Sequence, residues 1–124
     1  MFVVEESAAL SARLVERLAE VPGITFISSA RTVADAIKAI AKVAPDIVIT
    51  DTDLPDGSGF ALLHLIKARR TVKGSGPRVL VWTGCLDPRR QALAEGLGVE
   101  AHFDKAREVE LLVEYCRSVG AAGD

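Results

Sequence analysis

The chain has 124 residues, 49 % hydrophobic and 26 % charged, with a formal net charge of −2, which suits one folded domain and argues against disorder. No run of Lys or Arg offers a nucleic-acid surface, so direct nucleic-acid binding is not expected. No apolar stretch approaches the roughly 18 residues of a membrane span, and MFVVEES lacks the positively charged start of a secretory leader, so the reading is a cytoplasmic protein without membrane insertion.

Phe2, Val3 and Val4 form a short apolar strand closed by two acids, Glu5 and Glu6. From Ser7 to Glu20, Leu10, Leu14 and Leu18 recur every fourth residue, which predicts an amphipathic helix capped by Ser7 and stopped at Val21-Pro22-Gly23. Ile24 to Ser28 alternates as a strand. Thr32 followed by Asp35 resembles a capping box, opening a helix with an apolar stripe of Val33, Ala36, Ile37 and Ile40 that ends before Pro45.

Ile47, Val48 and Ile49 read as a strand buried on both faces, and the run stops at Asp51. The residues that follow, Asp53, Pro55, Asp56, Gly57, Ser58 and Gly59, are turn formers, which puts Asp51 where a central strand opens into a loop. Phe60 to Arg69 is helical by the spacing of Leu62, Leu63 and Ile66, and TVKGSGP is a connector. Arg78 to Thr83 is another buried strand. Asp87 and Pro88 open a helix that should close near Gly96 or Gly98. Ala101 to Phe103 is a short last strand, and the final helix runs from Arg107 to Ser118, with residues 120–124 as a loose tail after a domain of residues 1–119. Cys85 and Cys116 have no companion ligands at metal-site spacing and are read as two reduced thiols.

Five strands alternating with five helices predict an α/β fold: a flavodoxin-like, doubly wound parallel sheet of order 2-1-3-4-5. There the first and third strands are neighbours, so Glu5, Glu6 and Asp51 would converge at one crevice. Three carboxylates that close need a proton or a cation, and oxygen donors without His or Cys favour Mg²⁺. Thr83 at the end of the fourth strand adds a hydroxyl and Lys105 after the fifth an ammonium. A nucleophilic carboxylate, a dication and two donors suit phosphoryl transfer.

The acid pair Glu5-Glu6, the stretch PDIVITDTDLPDGSG, then WTG and FDK, in this order over nearly the whole chain, resemble the receiver domain of bacterial two-component response regulators. The resemblance implies that Asp51 accepts a phosphoryl group from a histidine kinase or histidine phosphotransfer protein. It implies that Glu5, Glu6 and Asp51 bind Mg²⁺ with the backbone carbonyl of Asp53, and that Thr83 and Lys105 contact the phosphoryl oxygens. Thr83, with His102 where the family often has an aromatic, would couple phosphorylation to a shift of the fourth helix and fifth strand and so present a different surface to a downstream protein. Self-phosphorylation with slow self-dephosphorylation is then expected instead of enzymatic turnover. A homodimer through the face of the fourth helix, fifth strand and fifth helix is a family option, and with nothing after residue 124 the chain reads as a stand-alone receiver.

Three positions depart from the family pattern. Glu6 stands where aspartate is commoner. Ala106 replaces the usual proline after the lysine, and since a cis bond before a non-proline residue costs about 2.5–4 kcal/mol, a trans Lys105–Ala106 peptide is predicted. His102 is smaller and more polar than the usual aromatic. The plainer readings are that Asp51, Glu5 and Glu6 are caps, Thr83 an ordinary strand residue, Lys105 a solvated lysine, Trp82 core packing, and Arg89 and Arg90 a solvated first turn. Rival functions are a receiver-like interaction module that is never phosphorylated and, from the D-x-D at Asp51 and Asp53, a phosphatase of the haloacid-dehalogenase type.

Overall fold

A computed structural model of the chain describes residues 1–24, 27–69, 76–84 and 87–122. In chain order the elements are β1 (Phe2–Val4), α1 (Ala8–Ala19), β2 (Ser28–Ala30), α2 (Val33–Val43), β3 (Ile47–Thr50), β4 (Asp53–Leu54), β5 (Gly57–Ser58), α3 (Gly59–Ala68), β6 (Arg78–Thr83), α4 (Pro88–Gly96), β7 (Val99–Asp104) and α5 (Val109–Ala122). Five strands make one parallel sheet of order β2-β1-β3-β6-β7, the predicted 2-1-3-4-5 arrangement, covered by five helices.

Strand alternation divides the core in two. Phe2, Val4, Val48, Val79 and Val81 face one side of the sheet and pack with Ala36, Leu62, Leu63 and Ala94 of α2, α3 and α4. Val3, Ile47, Ile49, Leu80, Trp82 and Phe103 face the other, against Leu14 and Leu18 of α1 and Leu112, Val113 and Cys116 of α5. Trp82 is therefore core, as its alternation with Thr83 suggests. No described helix is long and apolar enough to cross a membrane.

The predicted caps form. The Ser7 hydroxyl accepts from the Leu10 N–H at 3.2 Å, Thr32 from Asp35 at 3.1 Å, and Asp87 from Arg89 at 2.9 Å with Pro88 in the first turn. α2 stops at Ala44, just before Pro45, with Ala44 left-handed at φ 49°.

Five elements differ from expectation. β2 lies at Ser28–Ala30, later than the Ile24–Ser28 segment that the apolar alternation selects; Thr25 and Phe26 fall outside the described residues. Pairing with β1 decides: Ser28, Ser29 and Ala30 match Phe2, Val3 and Val4, while Ile24 and Ile27 pack on the α1/α5 side without joining the ladder. The loop after β3 contains a two-stranded antiparallel ribbon, β4-β5. β7 spans Val99–Asp104, longer than Ala101 to Phe103, because its pairing with β6 begins at Val99, skips Glu100 at a register shift and runs on to Asp104. α5 begins at Val109 and continues to Ala122, past Ser118. Of the connector TVKGSGP, only Gly76 and Pro77 lie among the described residues.

Candidate functional site

The sheet's alternation also builds the site. Val3 and Ile49 are partners in the β1–β3 ladder, and their side chains share the α1/α5 face. Two residues further along each chain come Glu5 and Asp51, so both carboxylates continue the same row at the carboxyl edge. Trp82 and Phe103, paired across β6 and β7, extend that row, and Lys105 lies two residues beyond Phe103. Glu5, Asp51 and Lys105 thus meet, although 46 and 54 positions separate the acids from each other and Asp51 from the lysine.

The acids are buried, Glu5 to 1 % exposure and Asp51 to 6 %. Lys105 Nζ bonds to Asp51 Oδ2 at 2.5 Å, pairs with Glu5 Oε1, and lies 5.7 Å from the centre of the Trp82 ring. Burial opposes the charge on this lysine, but the hydrogen bonds and attraction of Asp51 and Glu5 outweigh it and raise its pKa. The remaining oxygens are also used: Glu5 Oε2 accepts from the Ser7 N–H at 2.8 Å and Asp51 Oδ1 from the Asp53 N–H at 3.1 Å. Glu5 therefore does serve the entry of α1, as the plainer reading had it, while its other oxygen faces Lys105.

Glu6 does not join this group. Its position alternates with that of Glu5, it is exposed, and its carbonyl accepts from Arg31 Nε at 2.9 Å. Among the described residues no three acids, histidines or cysteines form a group ready to hold a metal, so the expected three-carboxylate cup is here two carboxylates closed by an ammonium. The donors nevertheless fit a hard dication: all are oxygens, and a cation already stands between two buried carboxylates.

Thr83 ends β6, buried and opposite Asp104, and its carbonyl accepts from the Lys105 N–H at 2.9 Å. His102 pairs with Val81 and shares its face, toward α4. Burial lowers the His102 pKa, partly offset by Glu95 of α4. The Lys105–Ala106 peptide is trans, as predicted. Ala106 uses the N–H a proline would lack: it and Arg107 donate to Asp104 Oδ1 at 2.8 and 2.9 Å, while the Asp104 N–H donates to Glu108 Oε1 at 2.9 Å.

The loop after Asp51 is tied on both sides. Asp56 accepts from the Val33 and Ala34 N–H groups at 2.8 and 3.1 Å, capping α2 from a distance. Those two bonds lower its pKa. Gly59 starts α3 so close to β3 that a Cβ there would collide with the Asp51 carbonyl oxygen and come within 2.8 Å of Thr52 Cα. Arg90 is not a solvated first-turn residue: its Nη2 reaches Asp53 Oδ1 at 2.7 Å and Thr52 Oγ1 at 3.2 Å, and its guanidinium lies 5.7 Å from the centre of the Phe60 ring. No local pattern marks Arg90, whose partners lie 37 and 38 positions away. Asp104 and Glu108 flank the start of an apolar run and could have been read as a cap. His64 is exposed, and Cys116 is a free thiol whose pKa burial pushes up to about 12; Cys85 lies outside the described residues.

Residues 1–117 match the family model of the response regulator receiver domain. The chain belongs to that family. This receiver domain is 34 % identical over 70 residues to a protein-glutamate methylesterase/protein-glutamine glutaminase of Symbiobacterium thermophilum; the match covers 56 % of this chain but only 19 % of that protein's length. In three dimensions it resembles a LuxR-family DNA-binding response regulator from Staphylococcus aureus, with 26 % identity, a TM-score of 0.79 and coverage of 96 % of this chain and 97 % of that one. The signal receiver domain of a DNA-binding response regulator from Colwellia psychrerythraea superposes with a TM-score of 0.85 at 24 % identity, over 95 % and 94 % of the two chains, which bears on the fold alone.

Proposed function

We propose that this receiver domain is a phosphoacceptor: Asp51 takes a phosphoryl group from a histidine kinase or histidine phosphotransfer protein and passes the signal on by altering a protein-binding surface. The observation that carries the reading is the row that buried Glu5 and Asp51 make with half-buried Lys105 at the carboxyl edge of the sheet. Two desolvated carboxylates share one lysine, so the group retains a net negative charge that a further cation would relieve.

One carboxylate oxygen of Asp51 attacks phosphorus as the bond from phosphorus to the donor breaks, and the donor group leaves with that bond's electron pair. Lys105 Nζ, already on Asp51, follows the growing charge onto a phosphoryl oxygen, and the Thr83 hydroxyl donates to another. Glu5, Asp51 and the Asp53 carbonyl would hold Mg²⁺, with Glu6 joining them only by turning its exposed side chain inward, and the ion would supply the remaining charge neutralisation. Movement of Thr83 toward the phosphoryl group and rotation of His102 beneath α4 would then carry the change to the face of α4, β7 and α5, where a downstream protein or a second copy of the chain could bind.

The test is intact mass after treatment with acetyl phosphate. One added phosphoryl group is expected with Mg²⁺, none after chelation and none in Asp51→Asn. An unchanged mass in the wild-type protein, with the donor and Mg²⁺ and with its kinase, contradicts the proposal and favours a phosphorylation-independent interaction module.

A further inference from the structure

The attachment of α4 is mostly polar. Of its residues Ala94 is buried, whereas Leu93 is 63 % exposed, so little apolar burial holds this helix to the sheet. Its carboxyl end is held by Lys67 Nζ, which donates to the Gly96 carbonyl at 3.0 Å. Its amino end is held by Arg90 on Asp53, Thr52 and Phe60. Only the second anchor rests on residues adjoining Asp51, and the two are linked directly, because the Asp53 N–H donates to Asp51 Oδ1.

We propose that Arg90 is a positioning residue that latches α4 to the loop after β3 while Asp51 is unmodified and releases it when Asp51 is phosphorylated. This rests on the phosphoacceptor reading. Phosphorylation at Asp51 puts close to two negative charges and three acceptor oxygens within roughly 7 Å of Asp53 along the chain. It also turns the carboxylate into an acyl phosphate, with one oxygen bridging to phosphorus and the other a neutral carbonyl, which weakens the acceptor for the Asp53 N–H. The guanidinium then has a richer acceptor than a single carboxylate, and Asp53 is repelled by the new charge. Arg90 moves off Asp53, and α4 loses the anchor at its amino end while Lys67 still holds the other. The Arg90–Asp53 pair is partly exposed, with side chains 32 % and 64 % accessible, so it is weak enough to be reversed.

Hydrogen–deuterium exchange of α4, measured on the full chain with and without acetyl phosphate and Mg²⁺, tests the latch. In the wild type, phosphorylation should speed exchange of α4 several-fold. Arg90→Gln and Asp53→Asn should each reach that faster rate unphosphorylated, the double variant should go no further, and phosphorylation should then add less than twofold. Arg90→Lys, which keeps the charge but not the planar fork, should fall between. An Arg90 with a merely structural role would loosen α4 by equal factors in both states, and that additive result overturns the proposal, as does an Asp53→Asn protein with unchanged exchange. Mass measured on the same samples separates the two readings. Without added phosphoryl mass in the wild type, the phosphoacceptor reading and the release step fall together, while the unphosphorylated variants still decide whether the latch exists.

Discussion

Lys105 stands between two buried carboxylates and supplies their counter-charge. Its removal should therefore be felt in stability first. Lys105→Met leaves Glu5 and Asp51 facing each other without a counter-charge, and a loss of about 3 kcal/mol is expected. Mg²⁺ should restore more stability to that variant than to the wild type, because in the wild type the dication shares the site with the ammonium. Denaturant titrations with and without Mg²⁺ measure both effects, and an equal response of the two proteins to Mg²⁺ contradicts the assignment of the metal to this row. His102 gives a second residue-scale prediction. Its folded pKa lies below the ordinary value of 6.5, since burial favours the neutral ring. Below pH 6.5 the unfolded chain binds a proton that the folded chain declines, so this contribution is complete above that pH and fades as the solution is acidified. The denaturation midpoint of His102→Gln should fall less than that of the wild type between about pH 7 and pH 5.5; parallel curves would contradict it. The meeting of Asp51 with Glu5 and Lys105 was legible because each follows a strand as a polar residue that needs a reason. Arg90 was not, since its role depends on Asp53 and Phe60, which only the folded chain brings near.

At the scale of elements, caps and stops were read best, because Ser7, Thr32, Asp87 and Pro88 act within a few residues of themselves. β2 was misplaced for the opposite reason. Ile24 and Ile27, which the apolar alternation enlists, pack on the α1/α5 side, whereas the ladder is set by β1, and Ser28-Ser29-Ala30 carries no hydrophobic signature of an edge strand. Asp56 was legible as a turn former but not as the residue that caps α2 across the loop. The end of α2 offers a test of this local reasoning. Ala44 adopts a left-handed conformation that costs an L-residue roughly 1–2 kcal/mol, just before a proline that further narrows its choices. Ala44→Gly should stabilise the protein by about 0.5–1 kcal/mol after the added flexibility of the unfolded chain is counted. A loss of stability in denaturant unfolding would show that the strain is relieved in another way.

For the whole molecule, a doubly wound sheet followed from alternation and handedness, with the flavodoxin-like order the favoured choice among such sheets, and that order decides the site. Placing β1 beside β3 brings Glu5 next to Asp51, and pairing β7 with β6 carries Lys105 over Trp82 to meet them. The same parity rule explains why the exposed Glu6 side chain lies outside the group that Lys105 makes with Glu5 and Asp51. The most direct measurement locates the phosphoryl group on the chain. The protein is phosphorylated by acetyl phosphate with Mg²⁺, reduced with borohydride to trap the acyl phosphate, digested, and mapped by tandem mass spectrometry. The predicted result is a single modified residue, Asp51. Modification at Asp53 or Asp56, or none at any residue, would contradict the account.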